Sequence, residues 1–319
     1  MRHRRLIVST LALLGLFLVG LSARRTTRAA IPPPDPTLTP RAYLPYVARA
    51  STCPTTSTNQ YQSGVAIQYD TDDPVRPAEE HADKNIELRG YTLNTDPSLG
   101  RELVDYGSDD EIQPPQFATL FDPPRVPAIT TLYQVHHWNW ASSPDPGSRG
   151  DPITTPPVTA LALHTTPGET LRVPTSDYDI GGDPPMEVLV LFADEDTLAL
   201  RYTREDSSGS PGYTVHLDDI CTDPNLLALY RQLDDLNGPR YEYPNPSYDL
   251  PNLPAGQAIG LARGDEVVVA IVDTGTFQDP RSLREWWQIR PGHWAGRVVG
   301  RSHDYAKELG LDQTAAFCP

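Results

Sequence analysis

The chain has 319 residues and a formal net charge of −16, with 26 Lys and Arg against 42 Asp and Glu. An acidic surface of this kind repels phosphate backbones, which argues against nucleic acid as a partner. Its 34 Pro and 22 Gly leave little room for long helices and favour short strands joined by turns.

Residues 1–30 read as a signal peptide or an N-terminal anchor. Met1-Arg2-His3-Arg4-Arg5 is a basic start, and Leu6 to Leu21 is a mostly apolar run of 16 residues. That is shorter than the ~20 residues that span a bilayer comfortably. The expectation is a secreted or extracytoplasmic protein, touching a membrane only through this segment if it stays uncleaved. Residues 1–30 hold six Arg and no Asp or Glu, so their removal leaves a still more acidic chain. Residues 31–60, with IPPPDPTLTP and STCPTTSTNQ, read as a Pro/Ser/Thr-rich linker that need not pack.

Residues 61–157 read as an irregular β-rich segment. Val65, Ile67 and Tyr69 alternate as in a strand, and Ile86–Leu93 is a second strand candidate. In the third, Thr131–Trp140, alternation puts Leu132, His136, Trp138 and Trp140 on one face and Tyr133, Val135 and His137 on the other. The Pro/Gly-rich stretch after Trp140 marks a boundary at 157/158.

Residues 158–319 are better patterned. Val158–Leu163, Thr170–Val173, Glu187–Ala193 and Leu198–Thr203 read as strands, with Asp194-Glu195-Asp196 as a hairpin turn. Asp223 and Pro224 open a helix over about 224–236, and Asn237-Gly238 closes it. Leu226, Leu229, Tyr230 and Leu233 give that helix an apolar face. Asp279-Pro280 repeats the start signal before Trp286 and Trp287, which dock the C-terminal segment onto the sheet. The predicted fold is mostly β: a C-terminal β-sheet module with one inserted helix, preceded by the irregular β-rich segment.

Cys53, Cys221 and Cys318 form an odd set, which in an exported protein means one disulfide and one spare thiol. The expected pair is Cys221–Cys318, with Cys53 free in the linker. His136 and His137 are adjacent on a strand and point to opposite faces, so they do not share a metal easily. Trp138 and Trp140 fit either a core or a sugar-stacking platform. Asp72-Asp73, Asp109-Asp110-Glu111 and Asp194-Glu195-Asp196 offer oxygen ligands without the spacing of a dedicated calcium loop. No nucleophile elbow in a strand-turn-helix context, phosphate loop or dinucleotide fingerprint is present.

Three motifs occur in a fixed order. Thr214-Val215-His216-Leu217-Asp218-Asp219-Ile220 is similar to the Y-x-H-L-D-x-I segment of lysostaphin/LytM-type peptidases. Leu253-Pro254-Ala255-Gly256-Gln257-Ala258-Ile259-Gly260, followed by Gly264, resembles that family's V-x-x-G-Q-x-I-G-x-x-G turn. Pro167-Gly168-Glu169-Thr170-Leu171-Arg172-Val173-Pro174 resembles one of its earlier strands. The resemblance covers roughly residues 158–280 and implies a compact β-sheet module. In that family H-x-x-x-D and H-x-H hold zinc. The corresponding positions here are Val158, Ala162, Val267 and Val269, which offer no ligand. His216 matches the non-ligand histidine that assists catalysis, and His164 lies two residues from one expected ligand position.

The resemblance therefore implies a non-catalytic module without a cofactor that binds cell-envelope polymer or an extracellular protein. Two alternatives stay open. One is a zinc-dependent cell-wall hydrolase with a rearranged site drawn from His81, His136, His137, His164 and His216. The other is a carbohydrate-binding surface protein using Trp138 and Trp140.

Overall fold

A computed structural model of the protein describes residues 53–69, 77–107, 114–140, 147–237 and 247–288. The expected export segment, most of the linker, Asp72-Asp73, Asp109-Asp110-Glu111 and Cys318 lie outside these residues.

The first half contributes β1 (Gln62–Ile67), α1 (Ile86–Arg89), β2 (Tyr91–Leu93), β3 (Ile129–Asn139) and β4 (Ser148–Pro152). Then follow β5 (Ala160–His164), β6 (Thr170–Arg172), β7 (Val188–Ala193), β8 (Leu198–Arg201), β9 (Tyr213–Asp218) and β10 (Ile220–Thr222). Helix α2 (Pro224–Asn237) precedes β11 (Ser247–Leu253), β12 (Ala258–Ala262), β13 (Glu266–Asp273), β14 (Thr276–Phe277) and α3 (Leu283–Trp286). The main sheet is antiparallel, in the order β1-β11-β7-β8-β9-β13-β5-β3-β2, with β14 on β13 and β4 on β3. A minor sheet runs β10-β12-β6.

Both faces of the main sheet are covered, which is why β7 (VLVLFA) and β13 (EVVVAIVD) are almost continuously apolar. On one face Leu161, Val215, Val267 and Val269 pack with Leu171 and Ile259 of the minor sheet, Leu226 of α2, and Trp286 and Trp287. On the other, Ala160, Ala162, Val268 and Ala270 lie under Ile86, Val135 and Phe277. Each fully buried Val or Leu contributes about 1.5–3 kcal/mol relative to exposure.

The boundary expected at 157/158 does not divide the sheet. Leu132 of β3 pairs with Leu161 of β5, and β1 pairs along its length with β11. Of the strands before residue 157, β1 and β3 take later strands as ladder partners and β2 and β4 join through β3, so the Pro/Gly-rich stretch is a connection inside one sheet. Ile86–Leu93 also differs from a single strand. The Asn85 side chain accepts from Glu87 N at 2.9 Å and caps one helical turn, which Gly90 ends at φ 60° before β2 begins.

Helix α2 forms where its caps predict. Asp223 Oδ1 accepts from Asn225 N at 2.9 Å and Leu226 N at 3.4 Å. Leu227 is buried beside Leu226, Tyr230 and Leu233, while Leu229 is only half-buried. Trp286 and Trp287 are buried, and their indole N–H groups donate to Asp279 O and Pro280 O at 2.9 and 2.8 Å.

Candidate functional site

The four positions at which the resemblance would place zinc ligands, Val158, Ala162, Val267 and Val269, are aliphatic and 0% exposed. They also point apart. Val158, Val267 and Val269 belong to the core on one face of the sheet, and Ala162 to the core on the other. Ala162 pairs with Val268, so alternation along β13 turns the flanking Val267 and Val269 to the opposite face, and Val158 precedes β5 and joins their side; no exchange of side-chain type at these four positions makes one cavity of them.

His216 sits on β9 opposite Ala270 and Ala199, stacked on Phe277 at 6.2 Å between ring centroids. It is 2% exposed, and its Nδ1 has no hydrogen-bond partner. Burial, reinforced by the Arg89 guanidinium, brings its pKa down to about 4. A neutral, enclosed imidazole of this kind packs; it has no substrate-facing side.

The other histidines are dispersed. His136 uses both ring nitrogens, on Gly150 O at 2.8 Å and Thr92 Oγ1 at 2.7 Å. His164 is exposed at the end of β5, with Nδ1 3.2 Å from Asp265 O. His137 is exposed on β3. His81 is buried against Trp140, with ring centroids 5.1 Å apart. Among the described residues, the one group of three metal-capable side chains within 4.8 Å of one another is Glu87, Asp194 and Asp196, which contains no histidine. Zinc favours nitrogen and sulfur ligands, so the residues present do not fit it.

Glu87 lies on α1, and Asp194 and Asp196 lie in the β7–β8 turn. Asp194 Oδ1 accepts from Asp196 N at 3.0 Å and Thr197 N at 2.7 Å, the hairpin geometry expected of this acidic triplet. Nearby, Asp218 accepts from Tyr91 Oη at 2.7 Å and Thr197 Oγ1 at 3.1 Å, and Arg263 pairs with Asp196. Burial first, then neighbouring carboxylates, push the Glu87 and Asp194 carboxyls up. These hydrogen bonds account for the turn without a ligand.

The disulfide joins Cys53 to Cys221, with Cα atoms 5.2 Å apart, in place of the expected Cys221–Cys318 pair. The reason lies in the segment after Cys53. Ser57 Oγ and Asn59 Nδ2 donate to Asp223 Oδ2 at 2.6 and 2.7 Å. Asn225 Nδ2 in turn donates to Ser57 O and Asn59 O at 3.1 and 2.8 Å. Side chains at the start of α2 therefore satisfy the backbone of a stretch that composition alone reads as free linker, and they bring Cys53 to β10. Tyr61 Oη completes the attachment on Ala258 O at 2.9 Å.

Between this strap and the minor sheet lies a cleft of about 860 Å³. Thr56, Thr58, Thr170 and Gln257 line it with hydroxyls and an amide, Arg172 and Asp223 bring one charge of each sign, and Pro54, Pro224 and Leu261 add apolar surface. Arg172 is held in place by Gly256 O at 3.0 Å and Asp122 Oδ2 at 2.5 Å. Nothing in the sequence marked this cleft, because its lining residues come from stretches distant along the chain.

Trp138 and Trp140 lie close together as expected, with centroids 6.3 Å apart, but edge to face at 72°. Trp140 is 36% exposed. The pair offers one ring to solvent and forms no flat two-ring platform.

No family model, curated protein or solved structure matches this chain.

Proposed function

We propose that this protein is an exported, non-catalytic module with a peptidase-like β core that binds cell-envelope polymer or an extracellular partner. The observation that carries the reading is the fate of the four zinc-ligand positions: aliphatic, fully buried and divided between two faces of the sheet. The Cys53–Cys221 bridge is compatible with an oxidising compartment. Among the described residues, no helix is long and apolar enough to cross a membrane. The contact surface in this reading is the cleft beneath the strap. Its hydroxyls, amides, guanidinium and carboxylate suit a polar, hydrogen-bonding polymer, and the disulfide fixes one wall in advance of binding.

Co-sedimentation with purified peptidoglycan and with neutral polysaccharides tests this. Retention on peptidoglycan that falls at least tenfold in Arg172→Ala and persists in Trp140→Ala is the expected result. Retention on neutral polysaccharide that is lost in Trp140→Ala favours the sugar-stacking reading, which the partly exposed Trp140 ring motivates. Stoichiometric zinc in protein purified without chelator overturns the non-catalytic reading.

A further inference from the structure

Lys84 and Asp206 form an ion pair far from water. Nζ lies 3.2 Å from Oδ2, and both side chains are 1% exposed. Lys84 stands in the turn before α1 and Asp206 in the β8–β9 connection, 122 residues apart in sequence. Two further donors converge on the same carboxyl. Tyr248 Oη donates to Oδ2 at 2.6 Å, and the backbone N–H of Tyr69 donates to Oδ1 at 2.8 Å.

This is an expensive place to keep two charges. Taking an ammonium and a carboxylate out of water costs several kcal/mol per ion, which the pair repays only with good geometry and full hydrogen bonding. Asp206 meets that condition. Lys84 has three donors, and among the described residues it donates to Asp206 Oδ2. Condensation removes both charges, leaves a neutral amide and releases water to the solvent. Fixed proximity supplies the effective concentration that such a step lacks in solution.

We propose that Lys84 and Asp206 condense to an intramolecular amide bond. Nζ passes one proton to Oδ2, and the freed amine attacks Cγ. The tetrahedral centre places its negative oxygen at Oδ1, where the Tyr69 N–H stabilises it, as a preorganised donor does for any developing oxyanion. A second proton travels from Nζ through the Tyr248 hydroxyl to Oδ2, which departs as water. Nζ loses two protons, Oδ2 leaves with both, the Nζ–Cγ bond forms and the Cγ–Oδ2 bond breaks. No oxidant, reductant or co-reactant enters.

The test is mass spectrometry of the full-length protein, fully reduced and denatured, followed by peptide mapping. The expected result is an intact mass one water below that of the linear chain, with a branched peptide joining Lys84 to Asp206. In Lys84→Arg, which keeps the charge and removes the primary amine, the mass should return to the linear value. A wild-type mass equal to the linear chain, with Lys84 open to an amine-reactive label in denaturant, overturns the proposal. A water loss mapped to any other peptide overturns it equally. The wild-type measurement decides the matter even where the variant does not fold.

Discussion

His216 and Glu187 are buried titratable side chains whose stabilities run in opposite directions with pH. In the unfolded chain an imidazole takes up its proton near pH 6.5. In the fold His216 resists until about 4, chiefly because burial penalises the charged ring. The unfolded state binds more protons in between, so stability falls as pH drops from about 6.5 to about 4. His216→Leu should flatten this acid limb, which spans roughly 3 kcal/mol at most. Urea midpoints at pH 7, 5.5 and 4.5 would show it. Glu187 is 3% exposed with Oε1 unpartnered, and burial lifts its carboxyl to about 8. Here the folded state holds the extra proton, so stability is lost as pH rises from about 4.5 to about 8. Glu187→Gln should gain about 1–3 kcal/mol at pH 8.5 and little at pH 5. A gain that is the same at both pH values would assign the effect to packing.

Among the elements, α1 is the clearest case of local chemistry overriding periodicity. IELRGYTL contains strand-forming residues, yet Asn85 caps a turn at its start and Gly90 breaks it at φ 60°. A Cβ on Gly90 would also lie 2.6 Å from the Arg149 guanidinium. Gly90→Ala should therefore destabilise by about 1–2 kcal/mol, read as a lower urea midpoint at unchanged slope. Gly260 shows the opposite situation, a motif residue whose reason is now visible. A Cβ there would collide with the backbone carbonyl of Cys221, so β12 can lie against β10 only with glycine at this point. Strands β7 and β8 and helix α2 were legible because continuous burial and end-capping leave their marks in local sequence. The pairing of β1 with β11 and of β3 with β5 was not, since either edge of a strand accepts a partner and local sequence does not say which. The same limit applies to the candidate site. The positions that the resemblance assigns to zinc ligands were readable as aliphatic, but their division between two faces needed the sheet, and the strap's attachment needed Asp223 and Asn225 from far along the chain.

Across the whole molecule, the Cys53–Cys221 bond spans a sequence separation of 168 residues. A cross-link of that span removes about 5 kcal/mol of unfolded-chain entropy in the loop-closure model. Cys53→Ser should lower unfolding free energy by about 2–5 kcal/mol under non-reducing conditions. Cys318→Ser should leave it within about 0.5 kcal/mol, as expected of a residue outside the bridge. If the two variants behave the other way round, the pairing is wrong.

The bridge also decides where a pull on the chain is felt. Tension arriving from the N-terminal side of Cys53 enters the folded body through the sulfur atoms at Cys221. It loads β10, and through it the ladder to β12 and β6, before any of it reaches β1. The residues between the two cysteines, which include β1 to β9, cannot be paid out from that end while the bridge is intact. Reduction moves the loading point to the strap's hydrogen bonds with Asp223, Asn225 and Ala258 and, once these give way, to β1, whose ladder to β11 opens one pair at a time from Gln62 and Asn252.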